Sequence, residues 1–215
     1  MRYLLETNGL TKQYGRHKAV NAVNIHIRQG DIYGLIGRNG AGKTTFLRMI
    51  SGLAVPTDGE FSLFGKKGKE TRRYLSRVGA LIERPGIYPN MSAAENLKIK
   101  CLAMGIRKKG EIEELLDIVG LSGTGRKKAK HFSMGMKQRL GIALALVGDP
   151  DLVILDEPIN GLDPQGIAEV RETIAQLNRE RNITFIISSH ILEELSKIAT
   201  RYGIIHDGVL LQELT

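Results

Sequence analysis

A single cysteine, Cys101, is all that the 215 residues contain, so no disulfide can close within one chain. Cys101 falls in a helical pattern, where a buried and inert thiol is expected, and a lone thiol fits a reducing cytoplasm. Long apolar runs are also missing. Nothing approaches the roughly 20 residues that cross a bilayer as a helix, and the longest runs, Leu152–Leu155 and Ile183–Ile187, suit buried strands. The opening Met1-Arg2-Tyr3-Leu4-Leu5-Glu6 meets a carboxylate too early to be the apolar core of a secretory leader. No internal repeat or low-complexity tract is present. With 42% hydrophobic and 25% charged residues, the composition excludes a disordered or collagen-like chain. The length allows one large domain or at most two small ones.

Charge is unevenly placed. The chain carries a net charge of +8. Residues 66–130 hold 16 of its 31 Lys and Arg but only 7 of its 23 Asp and Glu. The excess is clustered at Lys66–Lys67–Lys69, Arg72–Arg73, Arg107–Lys108–Lys109 and Arg126–Lys127–Lys128–Lys130. Such a surface suits nucleic acid, an anionic membrane leaflet or plain solvent, and the charge alone does not choose among them.

Hydrophobic periodicity switches between two and 3.6 along the chain. Val23, Ile25 and Ile27 predict one half-buried strand, and Asp31–Ile36 predicts a short strand ending at glycine. Residues 43–52 predict a helix stopped by Gly52 and Pro56. Strands are expected near Gly59–Phe64 and Val78–Ile82, with Thr71–Arg77 weakly helical between them. Helices are expected at 92–104 and 111–119, then a basic loop at 122–131 and a helix over 134–147. Strand Leu152–Leu155, helix 165–180, strand Ile183–Ser188, helix 190–198 and two short strands near Gly203–Leu211 complete the pattern. Alternating strands and helices predict a parallel sheet covered by helices, and the strandless stretch 84–147 predicts a helical insertion.

Gly37-Arg38-Asn39-Gly40-Ala41-Gly42-Lys43-Thr44-Thr45 fits the phosphate-binding pattern G-x-x-x-x-G-K-[ST], between a predicted strand and a predicted helix. Gly37, Gly40 and Gly42 permit positive φ, so successive N–H groups can turn toward an anion. The helix start adds its free N–H groups and its dipole. Lys43 can reach β- and γ-phosphates, and the Thr44 hydroxyl can ligate Mg²⁺. Further on, Leu152-Val153-Ile154-Leu155 delivers Asp156 and Glu157 to a strand end, where open α/β sheets bind ligands. Asp156 is placed to hold Mg²⁺, and Glu157 to take a proton from an attacking water. On their own these two carboxylates read more readily as a turn before Pro158, and the cradle upstream reverses that preference. His190 follows another buried strand and would reach the same edge, although a lone histidine there is more often a surface residue.

Phe132-Ser133-Met134-Gly135-Met136-Lys137-Gln138-Arg139 lies between these motifs. With it the chain resembles the ATP-binding-cassette (ABC) ATPases, whose signature is usually Leu-Ser-Gly-Gly-Gln. Ser133 and Gly135 match in register, Met134 and Met136 depart, and a plain helix cap is the other reading of Ser133. The resemblance covers nearly the whole chain. It implies that Tyr14 stacks on adenine, with a core tyrosine as the other reading. It also implies that Asn160-Gly161-Leu162-Asp163-Pro164 is the D-loop and that His190 is the switch histidine. Where the family normally has a metal-approaching glutamine, this chain has Glu83. The run Leu81–Ser92 around it resembles the branch serving bacitracin resistance and lantibiotic self-immunity.

The resemblance implies an α/β P-loop NTPase with a mainly parallel core sheet, N-terminal antiparallel strands and a helical insertion. One ABC domain is expected over 1–215, with 1–83 and 148–215 as the nucleotide-binding core and 84–147 as the helical subdomain. ATP and Mg²⁺ are the implied cofactors. Glu157, His190 and Glu83 would be catalytic, and Thr44, Asp156 and Glu83 would approach the metal. Nucleotide contacts would come from Tyr14, Gly37, Asn39, Gly40, Ala41, Gly42, Lys43, Thr44 and Thr45. Asp163 of the D-loop would be a further nucleotide contact, and the signature residues Ser133 and Gly135 of a second copy would complete the site. The implied function is ATP-driven export of a peptide antibiotic or lantibiotic through separate permease subunits, docked through 84–100 at the inner face of a bacterial membrane. No nucleic acid is expected, although a DNA- or ribosome-acting ABC ATPase is the alternative. The chain stops at Gln212-Glu213-Leu214-Thr215, where relatives commonly continue, which implies the catalytic core of a longer protein.

Overall fold

Buried strands with both faces covered organise the molecule in a computed structural model that describes residues 3–214. Met1, Arg2 and Thr215, parts of the opening and closing segments read above, lie outside the described residues. The chain begins with β1 (Leu5–Tyr14), β2 (His17–Val23), β3 (His26–Ile27) and β4 (Ile32–Ile36), then α1 (Lys43–Ile50). Next come β5 (Asp58–Leu63), β6 (Lys66–Lys67), a 3-10 segment Gly68–Arg77 and β7 (Val78–Leu81). Helices α2 (Ala93–Ala103), α3 (Glu111–Ile118) and α4 (Met134–Leu146) form the predicted strandless stretch. Finally β8 (Leu152–Asp156), α5 (Pro164–Arg181), β9 (Thr184–Ser189), α6 (Leu192–Ser196), β10 (Arg201–His206) and β11 (Val209–Leu214) return to the core.

Six strands form the main sheet in the order β11-β10-β4-β9-β8-β7, parallel except for the terminal hairpin β10–β11. A second, antiparallel sheet is built from β2, β1, β5 and β6, with β3 beside β1. The α/β class with a mainly parallel sheet and N-terminal antiparallel strands is thus the observed architecture. Every residue from Leu152 to Leu155 is fully buried, because alternate side chains enter different cores. Val153 and Leu155, with Phe185 and Ile187, face α2, α4 and α5. Leu152 and Ile154, with Ile186, face α1 and the antiparallel sheet.

Gly79 shows how tightly α4 seats on β7. A Cβ at this position would overlap the Ala145 carbonyl oxygen, a backbone atom that cannot move aside alone. We expect Gly79→Ala to destabilise the protein by about 3 kcal/mol and lower Tm by roughly 5–10 °C. Thermal denaturation followed by circular dichroism measures this, and an unchanged Tm would mean that the helix retreats freely.

Three elements differ from the sequence expectation. The strand predicted across Val23, Ile25 and Ile27 is interrupted, because Ala22 takes φ 51° and the ladder passes from β2 to β3. The Thr7 hydroxyl bridges the break, donating to Val23 O and accepting from Ile25 N, so all three apolar side chains stay buried. β1, ten residues long, has no period-two signature in the sequence. Register shifts between Leu10 and Lys12, and again between Lys12 and Gln13, break its alternation. The helix expected over 190–198 is shorter, and His190 lies in the turn before it.

The basic clusters are not uniformly free. Lys108 lies within 4 Å of Glu111, Glu114 and Asp149, and Arg181 joins Glu114 and Asp149. Hydrogen bonds from Arg181 and Lys108 hold the Glu114 carboxyl below its usual range. Arg107 and Lys109 make no ion pair among the described residues. Cys101 is buried in α2 as expected, and burial pushes its thiol pKa up.

Candidate active site at the parallel-sheet edge

The loop 37–42 leaves the C-terminal end of β4 and opens α1. Gly40 and Gly42 adopt φ 83° and 102°, conformations that a Cβ disfavours. Gly37 is needed for a different reason than positive φ: a Cβ there would overlap the Ile205 carbonyl oxygen. Its N–H is also committed, donating to Ser189 O at 3.2 Å. Among the described residues, the N–H groups of residues 38–40 and 42–45 donate to no acceptor. Gly42 caps α1 with no side-chain bond. An array of free N–H groups at a helix start is a cradle for an anion. Asn39 and Gly40 are exposed at its rim, while Ala41 is buried and Thr45 half-buried.

Lys43 is only 5% exposed. Its ammonium donates to Gly37 O at 2.6 Å and Arg38 O at 3.2 Å and lies 3.1 Å from Glu157 Oε1. That last contact is an ion pair out of hydrogen-bond alignment, since Glu157 Oε1 has no hydrogen-bond partner. The other carboxylate oxygen, Oε2, is 2.9 Å from His190 Nδ1. Glu157 itself adopts φ 50°, an uncommon conformation for a glutamate and one that recurs at functional sites.

Asp156 is buried, and both its oxygens are engaged. Thr44 Oγ1 donates to Oδ2 at 2.8 Å and Ser188 Oγ to Oδ1 at 2.5 Å. Ser188 also accepts from Glu157 N at 2.9 Å, so one hydroxyl orients both acidic residues. The register explains this, because β8 and β9 set Asp156 directly beside Ser188. No role is assigned to Ser188 by motif, yet a hydroxyl at the end of an apolar strand was a readable sign. Among the described residues no cluster of three His, Cys, Asp or Glu could hold a metal by itself. A hydroxyl and one carboxylate nevertheless suit Mg²⁺, which usually draws its other ligands from water and substrate phosphates.

Among the described residues, the other expected side chains make no hydrogen bond or ion pair with this set. Tyr14 is 49% exposed at the end of β1, with Lys12 Nζ 5.1 Å from its ring centroid. The core-tyrosine reading is thereby excluded. Ser133 caps α4 by accepting from Met136 N at 3.2 Å, and Asp163 caps α5 by accepting from Gly166 N at 3.0 Å. Together with Gly135 these two line a separate cleft of about 370 Å³. Among the described residues no hydrogen bond or ion pair joins that cleft to the cradle. Glu83, adjacent to the sheet edge, pairs with Arg48 at 2.6 Å rather than with Thr44 or Asp156.

A phosphate cradle, a buried acidic strand end and a carboxylate–histidine pair on one parallel-sheet edge define a P-loop nucleoside triphosphatase. The family described as ABC transporter matches residues 20–160. The chain is 52% identical over 215 residues to the bacitracin transport ATP-binding protein BcrA of Bacillus licheniformis, covering all of this chain and 70% of that one. It is 43% identical over 210 residues to the lantibiotic transport ATP-binding protein SrtF of Streptococcus pyogenes, covering 98% and 90%. Its fold matches an ATP-binding cassette of an ABC transporter in the ADP conformation, with TM-score 0.88 and 24% identity over 99% and 91% of the two chains. A dimeric cassette bound to ADP and Pi matches with TM-score 0.87 and 24% identity over 98% of each chain. This chain belongs to the ABC transporter family and is its ATP-hydrolysing subunit.

Proposed function

We propose that the chain powers export of a peptide antibiotic or lantibiotic through separate membrane subunits, at the inner face of a bacterial membrane. Its similarity to both bacitracin and lantibiotic transport ATP-binding proteins over at least 98% of its length supports this reading. No described helix is long and apolar enough to cross a membrane, and in this reading separate membrane subunits supply the path for the cargo. The DNA- or ribosome-acting alternative is not favoured, since the characterised relatives are named for transport or resistance.

The chemistry rests on Lys43, Thr44, Asp156, Glu157 and His190 meeting at one edge. The free N–H groups of the cradle and Lys43 bind the triphosphate, whose charged oxygens are stronger acceptors than the loop carbonyls. Thr44 and Asp156 would hold Mg²⁺, which supplies neutralisation of phosphate charge. Glu157 accepts a proton from water as the water oxygen bonds to the γ-phosphorus. The bond from that phosphorus to the β-phosphate oxygen breaks, giving ADP and phosphate. His190 holds Glu157 in place through the 2.9 Å contact. Tyr14 offers its exposed ring to adenine.

Among the described residues, Ser133, Gly135 and Asp163 have no partner at their own cradle, which supports their serving a second copy across an isologous interface. Residues 84–147 act as the helical subdomain of a single domain, with 84–100 as the docking region. A groove of about 360 Å³ there includes Leu81, Pro85 and Ile99 and is rimmed by exposed Leu53 and Tyr88. Glu83, flanked in sequence by the groove residues Ile82 and Arg84 and paired with Arg48 of α1, serves as the coupling residue.

Co-expression with its permease subunits in a sensitive bacterium is expected to raise resistance to bacitracin or a lantibiotic. Glu157→Gln should abolish the gain. Unchanged sensitivity to both classes, with ATPase activity intact, would sink the export assignment.

A further inference from the structure

Two glutamates, not one, stand at the nucleotide edge. Register pairs Leu81 of β7 with Leu155 of β8, and Glu83 and Glu157 each lie two positions further on. Both have left-handed backbones, with φ 63° and 50°. Each meets a cation carried by α1: Glu157 lies 3.1 Å from Lys43, and Glu83 accepts from Arg48 at 2.6 Å. Arg48 follows Thr44 by four residues, so it shares a helix face with the hydroxyl bonded to Asp156, one turn further from the cradle. Arg84, the neighbour of Glu83, makes no ion pair among the described residues. Arg48 is therefore the cation matched to Glu83.

We propose that Arg48 is a positioning residue that neutralises Glu83, allowing a second carboxylate to stand beside a bound triphosphate. This rests on the reading of the cradle as the ATP site. The pair is half exposed, at 40% for Arg48 and 55% for Glu83, so it adds little to folding. Its consequence is local. A carboxylate without its guanidinium repels the phosphates, over a distance that salt shortens. Held by Arg48, the glutamate presents no net charge to the phosphates, and among the described residues its Oε2 accepts no hydrogen bond.

The test is equilibrium titration with a fluorescent ATP analogue, in chelator and at low salt, for wild type, Arg48→Ala, Arg48→Lys, Glu83→Gln and the Arg48→Ala/Glu83→Gln double variant. Arg48→Ala is expected to weaken binding about tenfold, less so at high salt, while Arg48→Lys stays near wild type. Removing the unpaired carboxylate should restore affinity, so the double variant, which like wild type carries no net charge from the pair, binds within roughly twofold of wild type. Circular dichroism melts report whether each variant is folded. Wild-type affinity in Arg48→Ala would overturn the proposal. A double variant as weak as Arg48→Ala would do the same, because Arg48 would then act without Glu83. Failure of the cradle reading is distinct: wild type itself would not bind the analogue.

Discussion

Glu157→Gln is expected to lower ATP turnover by about 10²–10⁴-fold while leaving ATP affinity nearly unchanged. The side chain sits between Lys43 and His190, 3.1 and 2.9 Å away. An amide of the same shape can offer its oxygen to Lys43 and its NH₂ group to the ring nitrogen. It cannot take a proton from water at neutral pH, so binding survives and chemistry stops. With ATP present, a nucleotide-bound dimer should then accumulate, visible as a shift in size-exclusion chromatography. Turnover within a few-fold of wild type would show that another group accepts the proton.

Lys43→Ala has the opposite signature. Removing a buried ammonium whose partners are two carbonyls and a carboxylate takes away the charged donor for the phosphates. It also leaves Glu157 facing them uncompensated. Both effects oppose binding, and the expected loss of ATP affinity is about 10²–10³-fold, the scale of one or two charge-assisted hydrogen bonds. Alanine suits the first turn of α1, so the helix should persist. Titration with a fluorescent nucleotide reads the result. Affinity close to wild type would mean that the backbone N–H groups alone carry the phosphates.

These two experiments separate binding from chemistry at atoms 3.1 Å apart. The geometry also predicts how they combine. Lys43 and Glu157 share one contact, so the double variant should fall short of the sum of the two losses.

Local chemistry made the centre of the site readable in advance. The phosphate loop needs glycine, lysine and threonine at fixed spacing within one turn, and an apolar run ending in two carboxylates needs only its own strand. Both appear where expected, on β4–α1 and β8. The paired core faces of β8 follow from the same logic, since alternation along an apolar strand serves two cores at once. Contacts between distant segments were not readable. Ser188 reaches Asp156 only because β8 and β9 align in that register, and Arg48 meets Glu83 across 35 positions. Gly37 looked like a residue chosen for its φ, but a carbonyl from β10 makes it necessary.

The sequence by itself determined the strand–helix alternation, the phosphate cradle and the acidic strand end, because each is written in residues that are neighbours along the chain. The tertiary structure alone decided which partner neutralises each carboxylate and which hydroxyl steadies Asp156. It also decided where β2 gives way to β3. Those choices depend on strand register and on helix placement against the sheet, energies shared among segments that no local pattern contains.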